Sequence, residues 1–265
     1  MDVSVVGAGV VGSALIASFN DSVSTVIVDP CRPDTSTLVD TISTSMIFFC
    51  LPTPTMDDGE IDISPFNDYL PLLNAGYKGL VVIKSTLTPQ HLEQFKREYP
   101  DLRLVYFPEF LTEANPLSDM LHPSVHILGG EDLDIYEMHQ FIDHNTKIKE
   151  CPVYKTDIIT ASLAKYFINT WLATKVLFMN EFYALQQQSN SSVHWNEFTN
   201  IVSTDKRVGD SHLKVPGPDG QLGFGGMCFP KDTKALLTYA KDCGIDMAVL
   251  KAAVEKNNII RHLDK

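Results

Sequence analysis

The chain has 265 residues, 44% of them apolar, which suits one large domain or two modest ones with a sizeable core. Its 33 acidic and 21 basic residues give a net charge of −12 with no Lys/Arg run, which argues against nucleic acid or an anionic membrane as partner. The start "MDVSVVGAG" lacks a secretory pattern, no apolar run nears the roughly 20 residues of a membrane span, and the five cysteines show no disulfide or metal-ligand spacing, so a cytoplasmic chain with reduced thiols is expected.

The first element is a β-branched run, Val3 to Val6, followed by a glycine turn and an apolar helix pattern from Val11. "STVIVDP" reads as a second buried strand ending at Asp29. "SMIFFCLPTP", "GLVVIKSTLTP", "LRLVYFPEF" and "SVHILGG" read as the third to sixth, with helical patterns at Pro65–Leu73 and Pro89–Tyr99. Short apolar strands alternating with helices imply an α/β domain, a Rossmann-type doubly wound parallel sheet covered on both faces, over residues 1–153. From Thr156 to Gln188 there is neither Pro nor Gly, and Ile159, Leu163, Phe167, Trp171, Val176 and Phe182 recur at helical spacing. A helix of that length spans about 45 Å, too long for one small core. It is expected to connect domains or to pack against a second subunit. "SSVHWNEFTNIVSTD" reads as a helix with Ser192 as N-cap. Helices from about Asp232 to Asp242 and from about Met247 complete a small all-α domain over residues 154–265.

Four groups of residues carry chemistry. "GAGVVG", Gly7–Gly12, follows a strand and opens a helix, the context that G-x-G-x-x-G requires. Gly7 makes the tight turn, Gly9 lets backbone approach a pyrophosphate, and Gly12 allows close helix–strand packing; Val10 and Val11, between the last two glycines, are expected to bind the cofactor with them. Asp29, 17 residues after Gly12, can bind both ribose hydroxyls and repels a 2′-phosphate, which favours NAD over NADP.

The second group is "VPGPDGQLGFGGMCFPKD". Its glycines permit close backbone approach to a ligand, and Cys228 lies at the end of the run, just before a helix and beside Lys231. Both features lower a thiol pKa and make a better nucleophile, and Asp232 can orient water or accept a proton. A buried structural cysteine is the competing reading. Third, Lys165 and Asn169 share a face of the long helix and could stabilise an oxyanion, against the alternative of a solvated face. Fourth, Glu109 and Glu113 follow the fifth strand, Thr86 the fourth and Thr53 the third. All lie on the rim where ligands bind in such sheets, or serve as helix caps.

Together "GAGVVG", "CLPTP", "KSTLTP", "PEFLTE", the Lys165–Asn169 pair, "KRVGDSHLKV" and "GFGGMCFPKDTKAL" resemble the UDP-glucose 6-dehydrogenase family of nucleotide-sugar dehydrogenases, in family order from residue 3 to about 240. The resemblance implies oxidation of the sugar C6 alcohol to a carboxylate in two hydride transfers, with two NAD per sugar. It makes Cys228 the nucleophile that forms a thiohemiacetal and then a thioester. Lys165 and Asn169 stabilise oxyanions, and Asp232, a water and Thr86 move protons. Glu113 assists thioester hydrolysis, supported by Glu109. Phe110 and Leu111 contact substrate through backbone, while Lys214, Phe224 and Gly225 line the sugar-nucleotide pocket. Arg207 reaches a neighbouring subunit's site. Lys231 lies near the cofactor, as do Thr53 and Thr86. The resemblance also implies a homodimer through the long helix and a place in polysaccharide biosynthesis.

Two departures qualify this. Family members usually continue for over a hundred residues into a second Rossmann-like domain that binds UDP, whereas this sequence stops at Lys265, and the segment from Asp29 to Met46 is short. A short form without the UDP-binding domain is therefore expected. Two alternatives stand beside the UDP-glucose reading: a non-catalytic or partner-dependent NAD-binding subunit, and a dehydrogenase for another nucleotide sugar.

Overall fold

The computed structural model describes residues 1–32 and 34–263. The chain forms two compact units. The first comprises Met1–Met56 and Ile61–Lys165; the second comprises Asp57–Glu60 and the residues from Tyr166 onward.

The first unit alternates strands and helices: β1 (Asp2–Val6), α1 (Val10–Ser18), β2 (Ser24–Val28), α2 (Leu38–Thr41), β3 (Met46–Phe49), α3 (Leu70–Asn74), β4 (Leu80–Ile83), α4 (Pro89–Glu98), β5 (Arg103–Tyr106), α5 (Pro116–Leu121), β6 (His126–Gly129), α6 (Asp132–Asn145) and β7 (Val153–Thr156). The seven strands lie in the order β2-β1-β3-β4-β5-β6-β7. Side chains alternate between two cores, as the two-residue period of a strand requires. Val5, Phe48 and Val82 enter one core, and Val6, Phe49 and Ile83 the other. Burying each such side chain stabilises the sheet by roughly 1.5–3 kcal/mol.

The α/β reading holds, with local corrections. The sheet is parallel except at β5–β6, which pair antiparallel through Tyr106 and Gly129. A seventh strand, β7, lies in the segment where the sequence pattern changes; its alternation is weak because Tyr154 and Lys155 face solvent. The helical stretch expected at Pro65–Leu73 is a 3-10 turn, Ser64–Phe66, followed by α3, which has Pro71 in its first turn.

Register aligns the carboxyl ends of the central strands: Val6 pairs Val28 and Phe49, Phe49 pairs Ile83, and Ile83 pairs Tyr106. Strand order reverses at β1, between β2 and β3, so a crevice opens beyond those ends.

One helix, α7 (Ile158–Gln188), runs from the first unit into the second, followed by α8 (Trp195–Ser203), α9 (Cys228–Asp242) and α10 (Ala248–Leu263). The expected N-cap Ser192 is a correction: α8 starts at Trp195 with His194 at the cap. The hydroxyls of Ser189 and Ser191 instead accept from Ser191 N and Val193 N in the preceding loop. Trp195 anchors α8 by its burial and by donating Nε1 to Leu213 O at 3.1 Å. The helix expected from Asp232 begins four residues earlier, so Cys228 is its first residue rather than the end of the loop. In this unit Phe224 packs with Ala173, Leu177 and Ala253.

Candidate functional site

The glycine turn sits where β1 ends. Gly7 has φ +90°, and a Cβ there would lie 2.5 Å from Cys50 O; one on Gly12 would lie 1.9 Å from Gly7 O. Both positions therefore require glycine for the backbone alone. Gly9 differs: a Cβ there would meet nothing within 4 Å. Gly9 is the N-cap of α1 and has no side chain to cover the first amides of the helix, and Val10 beside it is 57% exposed, while Val11 is half-buried. The open amides and the open space at Gly9 match what a pyrophosphate needs.

Asp29 follows β2 on the same rim. Its carboxylate accepts from Ala8 N at 2.7 Å and from Cys31 N at 2.8 Å, which ties it to the turn. Arg32 donates to Ala8 O and stands 4.0 Å from Asp29. Each carboxylate oxygen keeps a lone pair for a further donor such as a ribose hydroxyl. The residues of this rim fit NAD.

Thr53, buried after β3, donates from its hydroxyl to Thr86 O at 2.9 Å, so two of the expected rim residues meet. Glu109, after β5, is half-buried, its side chain 10% exposed, and pairs with Lys165 Nζ at 3.0 Å. Lys165 also donates to Glu109 O, and Leu111 N donates to Glu109 Oε2 at 2.6 Å. Burial pushes the Glu109 carboxyl up, but Lys165, the Leu111 amide and Lys84 outweigh it and hold it below the usual carboxylate range. Lys165 is only 3% exposed, so the solvated-face alternative fails for it. Phe110 and Leu111 are half-buried, and the Lys165 ammonium lies 5.2 Å from the Phe110 ring centre. Glu113 is exposed.

A residue that the sequence reading passed over lies beneath this rim. Lys84, directly after β4, is buried, donates to Phe107 O at 3.2 Å and sits 3.6 Å from the Phe107 ring centre. Burial brings its pKa down to about 8, against the opposing pull of Cys50 and Glu109 and with a further push from Lys165. A lysine closing an otherwise apolar strand was the available signal.

In the second unit, Asn169 Nδ2 donates to Asp232 Oδ2 at 2.6 Å, and Lys231 Nζ to Asp232 Oδ1 at 2.5 Å. Asn169 and Asp232 are both buried, so the solvated-face alternative fails for Asn169 too. Asp232 lies one helical turn beyond Cys228, which is half-buried at the N-terminus of α9 and forms no disulfide. Phe224 is buried and Gly225 half-buried in the loop leading to it. Lys214 is exposed. Arg207, its side chain 90% exposed, pairs with Asp205 two residues earlier at 2.5 Å.

Residues 33–145 match the family model of the UDP-glucose/GDP-mannose dehydrogenase NAD binding domain, and residues 159–259 that of the same family's central domain. A UDP-glucose 6-dehydrogenase of Rickettsia bellii is 31% identical over 221 residues, covering 81% of this chain and 49% of that one. The chain thus spans about half the length of the curated relatives it matches. The solved UDP-glucose dehydrogenase of Pyrobaculum islandicum superposes with a TM-score of 0.79 at 25% identity, over 97% of this chain and 68% of that one. A UDP-D-ManNAc dehydrogenase of Pyrococcus horikoshii shares the fold, with a TM-score of 0.80 at 20% identity, over 99% of this chain and 69% of that one. Among the described residues no helix is long and apolar enough to cross a membrane. Through its NAD-binding and central domains, the chain belongs to the UDP-glucose/GDP-mannose dehydrogenase family.

Proposed function

We propose that this protein oxidises UDP-glucose at C6 to UDP-glucuronate. The observation that carries the reading is in the second unit: a cysteine opens α9, and one turn later Asp232 is buried and held by Asn169 and Lys231. A thiol at a helix N-terminus is biased toward thiolate. A buried carboxylate held by two donors is oriented for proton work.

NAD supplies the hydride acceptor for both oxidations. Cys228 Sγ adds to the aldehyde carbon formed in the first, giving a thiohemiacetal whose oxidation leaves a thioester. Water cleaves that thioester, releasing the carboxylate and restoring the thiol, with Glu113 assisting. Lys165 and Asn169 stabilise the oxyanions of these steps, and Asp232 and Thr86 take part in moving the hydroxyl proton to water. Phe110, Leu111, Lys214, Phe224 and Gly225 contact the substrate, and Arg207 contributes to a neighbouring subunit's site. The test is NADH formation by the purified protein with a panel of nucleotide sugars. UDP-glucose should give two NADH per sugar; a preference for another nucleotide sugar would reassign the substrate, and no NADH with any would refute the activity.

A second copy of the chain is the proposed partner. Phe167, Trp171, Phe178, Phe182 and Leu185 on α7 are 36–68% exposed. At 3.6 residues per turn they fall within about 60° of one another, a continuous apolar stripe of the kind that marks an interface. Light scattering should give twice the chain mass, and Trp171→Glu should give the monomer; a wild-type monomer would contradict the pairing.

A further inference from the structure

The loop before Cys228 is held by side chains far away in sequence. Asn257 on α10, 5% exposed, accepts from Phe224 N at 2.7 Å and donates Nδ2 to Phe224 O at 3.0 Å. Asn180 on α7 accepts from Gly223 N at 3.0 Å. Arg261, one turn beyond Asn257, donates to Asp219 at 2.7 Å, Gln221 at 2.8 Å and Gly223 O at 3.1 Å. The loop is packed tightly against these groups: a Cβ on Gly223 would lie 2.5 Å from Asn257 Oδ1, and one on Gly225 would lie 3.1 Å from the Arg261 guanidinium.

Between Phe224 and Cys228 stand only Gly225, Gly226 and Met227, with Gly226 at φ +72°. Two glycines in three residues define direction weakly by themselves. The position of the thiol is therefore fixed by what grips each end. On the far side the grip is α9, through Asp232 and Asn169. On the near side the Phe224 ring is buried, which fixes where the chain lies, while the two Asn257 bonds fix the plane of the backbone at that residue.

We propose that Asn257 is a positioning residue for Cys228, setting the backbone orientation from which the thiol reaches the α9 N-terminus, with Arg261 bracing the same loop. This rests on the reading of Cys228 as the nucleophile, but its test does not depend on turnover. The first measurement is the pH profile of iodoacetamide alkylation at each cysteine, resolved by peptide mass spectrometry. The exposed Cys31 and Cys243 serve as internal controls.

In Asn257→Ala the alkylation midpoint of Cys228 should move up while those of Cys31 and Cys243 stay put. Amide exchange at Phe224 should quicken, and kcat with UDP-glucose should fall roughly tenfold to a hundredfold with KM changing far less, as misplacement of a reacting group does. Asn257→Asp keeps the acceptor for Phe224 N and loses the donor to Phe224 O, so it should fall between the two. If the alanine variant does not fold, the aspartate variant decides. Either folded variant with an unchanged Cys228 alkylation profile overturns the proposal, whatever its turnover. Full turnover by Cys228→Ser would instead overturn the functional reading and leave the alkylation result standing.

Discussion

Asn169 and Asp232 form a buried pair across 63 residues of sequence, Nδ2 to Oδ2 at 2.6 Å, with Lys231 on the second carboxylate oxygen. A carboxylate that loses one of its buried donors keeps its desolvation cost. Asn169→Ala should therefore destabilise the chain by about 2–3 kcal/mol in denaturant unfolding. A loss below about 0.5 kcal/mol would mean that water replaces the amide without cost.

Glu109 and Lys165 make the corresponding pair in the first unit, with side chains 10% and 3% exposed. Breaking a buried ion pair from one side leaves a buried charge, so Glu109→Gln should cost about 3–5 kcal/mol. Because the folded pKa of Glu109 is lowered, the pair's contribution is complete above the ordinary carboxylate pKa and is lost as pH falls through the folded value. Acid unfolding curves should thus be shallower in Glu109→Gln; identical acid limbs would contradict the assignment.

Lys84 predicts the alkaline limb. Its folded pKa of about 8 lies below the ordinary 10.5, so between those values the unfolded chain binds more protons and stability rises with pH. Below about pH 8 the cost of holding the charged amine is fully present; it is relieved by about 3 kcal/mol by pH 10.5. Lys84→Met should flatten that rise in thermal or denaturant unfolding, and an unchanged rise in the variant would exclude Lys84 as its source.

The glycines of the turn should separate folding from cofactor binding. Gly7→Ala places a Cβ 2.5 Å from Cys50 O at φ +90° and should cost about 2 kcal/mol or more in stability. Gly9→Val meets no protein atom near its Cβ, so its Tm should stay near wild type while NAD affinity, measured calorimetrically, falls roughly tenfold or more. Wild-type NAD affinity in Gly9→Val would remove the pyrophosphate from that position.

What the sequence made legible was local. The glycine turn, the apolar strands and the long helix without Pro or Gly all carry their signal within a few residues. Lys84 was missed because a lysine closing a strand reads as its solvent end, and nothing nearby in sequence reveals the Phe107 ring and carbonyl that enclose it. Asn257 was missed for a stronger reason: its partner is 33 residues away, and an asparagine in "EKNNIIR" looks like an exposed helix face. The Ser192 cap failed because α8 starts three residues later, at Trp195, which leaves Ser192 in the loop and His194 at the cap. The pairings of Lys165 with Glu109 and of Asn169 with Asp232 needed coordinates, since helical spacing shows a shared face but not what that face meets.

Under the proposed function, the sulfur of Cys228 bonds to the sugar C6 carbon during turnover. The most direct measurement is peptide mass spectrometry of protein quenched in acid during reaction with UDP-glucose and NAD. A sugar-nucleotide mass is expected on the peptide containing Cys228, absent when NAD is omitted and absent from Cys228→Ala, which should produce no UDP-glucuronate. Undiminished UDP-glucuronate formation by Cys228→Ala would contradict it.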